Sequence, residues 1–173
     1  MIGLDGGNAN QRFHRAAARL AWVPIAGRGS LMQFICDAPA GQTWFRLETE
    51  VEAAQESQLM RHAVEKHFRR AYEEASQSFS TDGIPYIEQN IRRASHVERV
   101  MPIFVSLRDA NGDALVTAML PPVKARAPSA FRPIVVGRGN GDPYPLYGDA
   151  IESLARHFGI SLDRMTCYPY RRG

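Results

Sequence analysis

From residue 32 onward the apolar positions follow two different periods. "MQFIC" and "TWFRLE" are short β-type runs separated by the turn-forming "DAPAGQ", which predicts a hairpin with a longer loop. In the second run Phe45 and Leu47 alternate with Arg46 and Glu48, so one face is buried and the other wet. Trp44 opens that strand and is expected near an edge.

The period then changes. Thr49 and Glu52 have the spacing of a capping box, in which a threonine hydroxyl and a glutamate carboxylate satisfy each other's free amides at a helix start. Beyond it Met60, Val64, His67 or Phe68, Ala71 and Ala75 recur at three- and four-residue steps, with no glycine or proline from 50 to 79. The pattern predicts one helix over about 50–77. At about 1.5 Å per residue it would be about 40 Å long, more than a compact domain of this size covers, so part of it is expected to project or pair with another subunit. Glu65 and Arg69 are spaced for an i,i+4 ion pair.

"STDGIP" interrupts the chain, and Ile84, Ile87 and Ile91 mark a second, short helix ending near Ala94. "MPIFVSLRD" and "ALVTAML" follow, joined through "ANGD". Asn-Gly between apolar runs predicts a hairpin with a type I′ turn, because both residues tolerate positive φ. A proline-rich connector, "PPVKARAPSAFRP", leads to a strand at "IVV". A helix over "DAIESLARHF" then has Ile151, Leu154, Ala155 and Phe158 on one face, with Gly159 as its stop. "RMTCY" is a candidate last strand, and a strand–helix–strand order would make a right-handed crossover if those strands were parallel.

These elements predict one α+β domain over 32–173, with a single mixed or antiparallel sheet of about five or six strands. One long helix and one or two shorter helices are expected on one face of it. Residues 1–31 read as a poorly ordered basic tail. They hold Arg12, Arg15, Arg19 and Arg28 against Asp5, a net of +3, which is the net charge of the whole 173-residue chain. The remainder therefore balances, and net charge gives no reason to expect a basic face suited to nucleic acid. Arginine outnumbers lysine 19 to 2, which we attribute to codon bias in a GC-rich genome.

With 23% charged and 45% hydrophobic residues the composition is that of a globular protein. No apolar run suggests a membrane span or a secretory signal, so a soluble, cytoplasmic protein is expected. Cys36 and Cys167 lie far apart and form no metal-ligand spacing, which suits two reduced core thiols.

Candidate chemistry is sparse. "VVGRGNGDPYPLYGDA" places Gly137, Gly139 and Gly141 ahead of a helix, where a phosphate loop would lie. The terminal Gly-Lys-Ser/Thr of a P-loop is missing, and Pro143 and Pro145 separate the glycines from the helix. What remains is a turn whose amides and Arg138, with Gly139, Gly141, Tyr144 and Tyr147, form a candidate anion site. In "HAVEKH", His62 and His67 stand five residues apart and on a continuous helix point about 140° away from each other, so no metal is expected there. Asp109, Asn111 and Asp113 have the spacing of a calcium loop, but the glycine falls too early and Leu120 stands where a glutamate is needed. Cys36 is a nucleophile only if His62, His96 or His157 serves as its base. The arginine pairs at 69–70, 92–93 and 171–172, the last with Tyr168 and Tyr170, are candidate nucleic-acid contacts without any recognition motif.

The expected function is therefore a non-catalytic binding or interaction domain without cofactor. It would self-associate or bind a partner through the long helix, with Met60, Val64, Phe68 and Ala71 as the contact stripe. The alternatives are anion or nucleic-acid binding through the glycine turn or the C-terminal Tyr/Arg cluster, and an enzyme using Cys36 with a histidine.

Overall fold

The computed structural model describes residues 32–122, 131–167 and 169. Residues 1–31, read above as a tail, lie outside the described residues, as do Tyr168, Tyr170, Arg171 and Arg172 of the C-terminal cluster. The fold is α+β. Its strands β1 (Gln33–Ala38), β2 (Gln42–Leu47), β3 (Ile103–Arg108), β4 (Ala114–Leu120) and β5 (Ile134–Gly137) form one antiparallel sheet, each beside its neighbour in sequence. Helices α1 (Glu50–Met60), α2 (Val64–Gln77) and α3 (Tyr86–Val100) lie between β2 and β3 in the chain, and α4 (Tyr144–Phe158) follows β5.

The single long helix of the sequence reading is two helices. Arg61 adopts a left-handed conformation (φ 55°), and the amides of Arg61 and His62 both close on the Ser57 carbonyl, which ends α1. A non-glycine residue in this region costs about 1 kcal/mol or more. The compensation is packing: the bend sends Met60, fully buried, and Val64 and Phe68 of α2 all into the interior, which a straight rod would leave partly uncovered. At the start of α1 the predicted capping box is formed, with the Thr49 hydroxyl accepting from Glu52 N–H and the Glu52 carboxylate accepting from Thr49 N–H.

Helices also cover both faces of the sheet, where one face was expected. All six residues of β3 are buried. Ile103, Val105 and Leu107 join Trp44, Val116, Leu120 and the α4 residues Ile151 and Leu154 in one core, while Phe104 joins Phe45, Leu47, Val64 and Phe68 in another. A strand with both faces covered reads as a near-continuous apolar run, which "PIFVSL" is. Trp44 is likewise not at an edge. It lies on β2 between β1 and β3, fully buried, and its indole N–H donates to the Ala150 carbonyl of α4 at 2.9 Å.

Two further elements differ from expectation. The β3–β4 hairpin closes through a longer loop than a type I′ turn: Gly112 alone in it has positive φ, and the Asp109 carboxylate takes the amides of Asn111 and Asp113. Those two side-chain bonds hold the loop and explain the calcium-like spacing. The described residues 164–167 of "RMTCY" form no sixth strand, and among the described residues no parallel crossover forms. Asp163 turns the chain there, its carboxylate accepting from Met165 N–H and its carbonyl from the amides of Thr166 and Cys167.

Candidate functional site

Among the described residues, two places are candidates for binding. The first is a cavity of about 330 Å³ between the start of α2 and strands β3–β5. Phe104, Met119, Ile134 and Val136 form its apolar wall; His62, His67, Thr117 and Asn140 are its polar lining. Behind it lies a buried polar chain. Glu56 of α1, with no exposed surface, accepts from Arg108 on one carboxylate oxygen and from the Thr117 hydroxyl, at 2.5 Å, on the other. A hydroxyl has one proton, and Thr117 gives it to Glu56. At 2.9 Å from His62 Nε2 the Thr117 oxygen must therefore accept, which fixes the proton of the neutral imidazole on Nε2. Nδ1 is then a bare acceptor, buried and without a partner among the described residues.

Burial holds the His62 pKa below the usual imidazole value; Glu56 and the residue's own carbonyl pull it upward, and His67 pushes it further down. That His67 acts on His62 at all reflects the helix break. On one continuous helix the two rings would diverge, but with Arg61–Ala63 bent they line the same cavity. Among the described residues no group of three or more His, Cys, Asp or Glu side chains is placed to hold a metal ion.

The second place is α3. It begins where the isoleucine spacing predicts and runs on to Val100, yet Val97 is its only buried residue. Tyr86, Ile87 and Ile91 are 90%, 84% and 71% exposed. The helix is held to α2 by a small clamp: the Ser78 hydroxyl meets His96 Nε2 at 2.8 Å, and Phe79 lies against the His96 ring and under the Arg93 guanidinium. Between α3, α2 and the end of β2 a groove of about 470 Å³ keeps the helix away from the sheet.

The site residues named from sequence are dispersed. Met60, Val64 and Phe68 are buried within the chain and Ala71 packs alongside, so the stripe assigned to self-association is core. Of the anion-site residues, Arg138 and Gly139 are exposed on the glycine turn, where the Gly137 and Gly141 amides bond the turn's own carbonyls. Tyr144 gives its hydroxyl to the Leu162 carbonyl, and Tyr147 packs against the α4 core. These five do not converge on one point, although Asn140 of the same turn reaches the cavity.

Cys36 and Cys167 are both free thiols. Burial and the neighbouring Asp37 push the Cys36 thiol up to about 11, opposite to what a nucleophile requires. Of its candidate bases, His62 is engaged by Thr117, His96 by Ser78, and His157 lies edge-on to Phe158. The arginine pairs are largely neutralised by neighbours: Arg69 by Glu50 and Glu65, Arg70 by Glu74, and Arg92 by Glu88. Among the described residues no helix is long and apolar enough to cross a membrane.

The chain matches no family model, no curated protein and no solved structure.

The residues that sequence reasoning missed are Glu56, Arg108 and Thr117. Each looks like an ordinary surface residue of its element, and only the pairing of α1 with the β3–β4 hairpin brings them together. One signal was present: in the β3 segment, Ser106 and Arg108 interrupt the apolar face begun by Phe104.

Proposed function

We propose that this domain is a non-catalytic interaction module that self-associates through α3. The observation that carries the reading is the stripe of Ile87 and Ile91, flanked by Tyr86, exposed on a helix that buries only Val97. A helix of this length is marginal in water by itself and is ordinarily stabilised by packing an apolar face. Here that face is uncovered among the described residues. The ion pair of Glu88 with Arg92 beside the stripe closes within the helix and sets no free charge against an apolar cover, and the same stripe on a second copy, packed about a two-fold axis, is such a cover. This retains the self-associating function expected from the sequence and moves it from the buried α1–α2 stripe to α3.

The test is the mass of the full chain in solution by light scattering or sedimentation. The expected result is a dimer that Ile87→Glu and Ile91→Glu each convert to a monomer of unchanged far-UV circular dichroism, because neither side chain belongs to the core, with a melting temperature lowered by loss of the dimer. A wild-type chain that stays monomeric as its concentration is raised, or a dimer indifferent to both substitutions, would overturn the reading.

A further inference from the structure

We infer that the groove between α2, α3 and the end of β2 is the docking site of a segment of the same chain, residues 11–22, "QRFHRAAARLAW". The floor of the groove is apolar, formed by the otherwise buried Leu47, Phe68 and Val97, with Met101 beside them. The chain itself supplies the nearest cover. Met32 is the first described residue, and because Gln33 pairs with Arg46, Met32 stands opposite Leu47. Arg46 and Leu47 both line the groove, so residues 1–31 join the domain at its edge. The nine residues 23–31, with Pro24, Gly27 and Gly29, reach up to about 30 Å when extended, which lets the segment ahead of them lie back along α3.

The segment has the pattern the groove calls for. Phe13, Ala16, Ala17 and Leu20 have the i, i+3, i+4, i+7 spacing by which an amphipathic helix anchors its apolar face in a groove. Arg12, Arg15 and Arg19 fall on the flank of that stripe. Glu48 and Glu98 line the groove, are exposed, and have no ion-pair partner among the described residues. Arg93 lies over the Phe79 ring, which leaves Arg46 as the basic group beside these two carboxylates. An isolated helix this short is marginal in water, so order in residues 11–22 has to come from the groove. The inference is independent of self-association, since none of Tyr86, Ile87 and Ile91 lines the groove.

Amide hydrogen exchange over residues 11–22 of the full-length protein is the test. Exchange there is expected to be slowed about tenfold or more relative to an unstructured chain. Ala94→Arg, at an exposed position in the groove, fills it with a good helix former and sets a like charge against the arginine flank. It should restore fast exchange in residues 11–22 while the strands keep their protection. Leu20→Glu removes the anchor from the other side of the contact and should do the same. Ile91→Glu, outside the groove, should leave the protection intact. Unprotected residues 11–22 in the wild type, protection that survives Ala94→Arg or Leu20→Glu, or protection lost in Ile91→Glu would each overturn the inference, the last because it assigns the segment to the dimer and not to its own chain. A wild-type chain that is monomeric leaves these expectations unchanged. Should Ala94→Arg fail to fold, Leu20→Glu decides, because it leaves every described residue unaltered.

Discussion

Ser57 and Glu65 are joined across the break between α1 and α2. The Ser57 hydroxyl accepts from the Glu65 amide at 2.9 Å, while the Ser57 carbonyl receives the amides of Arg61 and His62. One residue thus closes α1 and satisfies an amide in the first turn of α2, and Arg61 between them is left-handed. This gives a prediction with a telling sign. In a continuous helix Arg61→Gly would destabilise by about 1 kcal/mol; at a left-handed cap it should stabilise by about 0.5–1 kcal/mol. Urea unfolding of the two chains measures it, and a lower midpoint for the glycine variant would mean that the helix is unbroken.

Why the break was invisible in the sequence follows from the same residues. Breaks are signalled by glycine, proline or a cap, and "SQLMRHAVEK" contains no glycine or proline. The strain at Arg61 is offset by burial of Met60, Val64 and Phe68, a tertiary term with no local signature. Elements whose cause is local were legible: the Thr49–Glu52 box, the β3–β4 hairpin and the Gly159 stop of α4 all form. The cavity was not. Its lining comes from α2, three strands and the glycine turn, and only the antiparallel order of β3, β4 and β5 assembles it.

Glu56 and Arg108 are expected to behave as a unit. Both are buried, and each is the other's charge partner inside the fold. Removing one leaves the other as an unpaired buried charge, so Glu56→Gln and Arg108→Met should each cost about 3–5 kcal/mol. The double variant should cost less than their sum by about 1–3 kcal/mol. Chemical denaturation of the four chains of this cycle gives the coupling energy directly. Additive losses would mean that the two side chains act independently.

Trp44 tests how firmly α4 is docked. Its indole N–H to the Ala150 carbonyl is the polar tie between β2 and α4, set within an otherwise apolar layer. Trp44→Phe removes that bond and leaves a void beside Leu107 and Ile151, for an expected loss of about 2–4 kcal/mol by denaturant unfolding. Hydrogen exchange should rise in α4 more than in α2, because α2 packs on the other face. Equal acceleration in both helices would show that the two faces unfold as one.

The pH dependence of stability should carry the mark of His62. Its folded pKa lies below the ordinary value of 6.5, chiefly because of burial, with Glu56 opposing and His67 assisting. Between the two pKa values the unfolded chain therefore binds more protons, and stability rises with pH. The penalty is absent above the unfolded value, grows as pH falls through it, and levels off below the folded value. Thr117 accepts from Nε2–H in either protonation state, so the added proton goes to Nδ1, which is buried and has no partner among the described residues. His62→Gln removes the titrating group. The stability difference between wild type and variant should accordingly shift in the variant's favour on acidification from about pH 7.5 to 5.5. Melting curves across that range make the comparison, and a difference that stays flat would mean His62 titrates in the fold as it does in the unfolded chain.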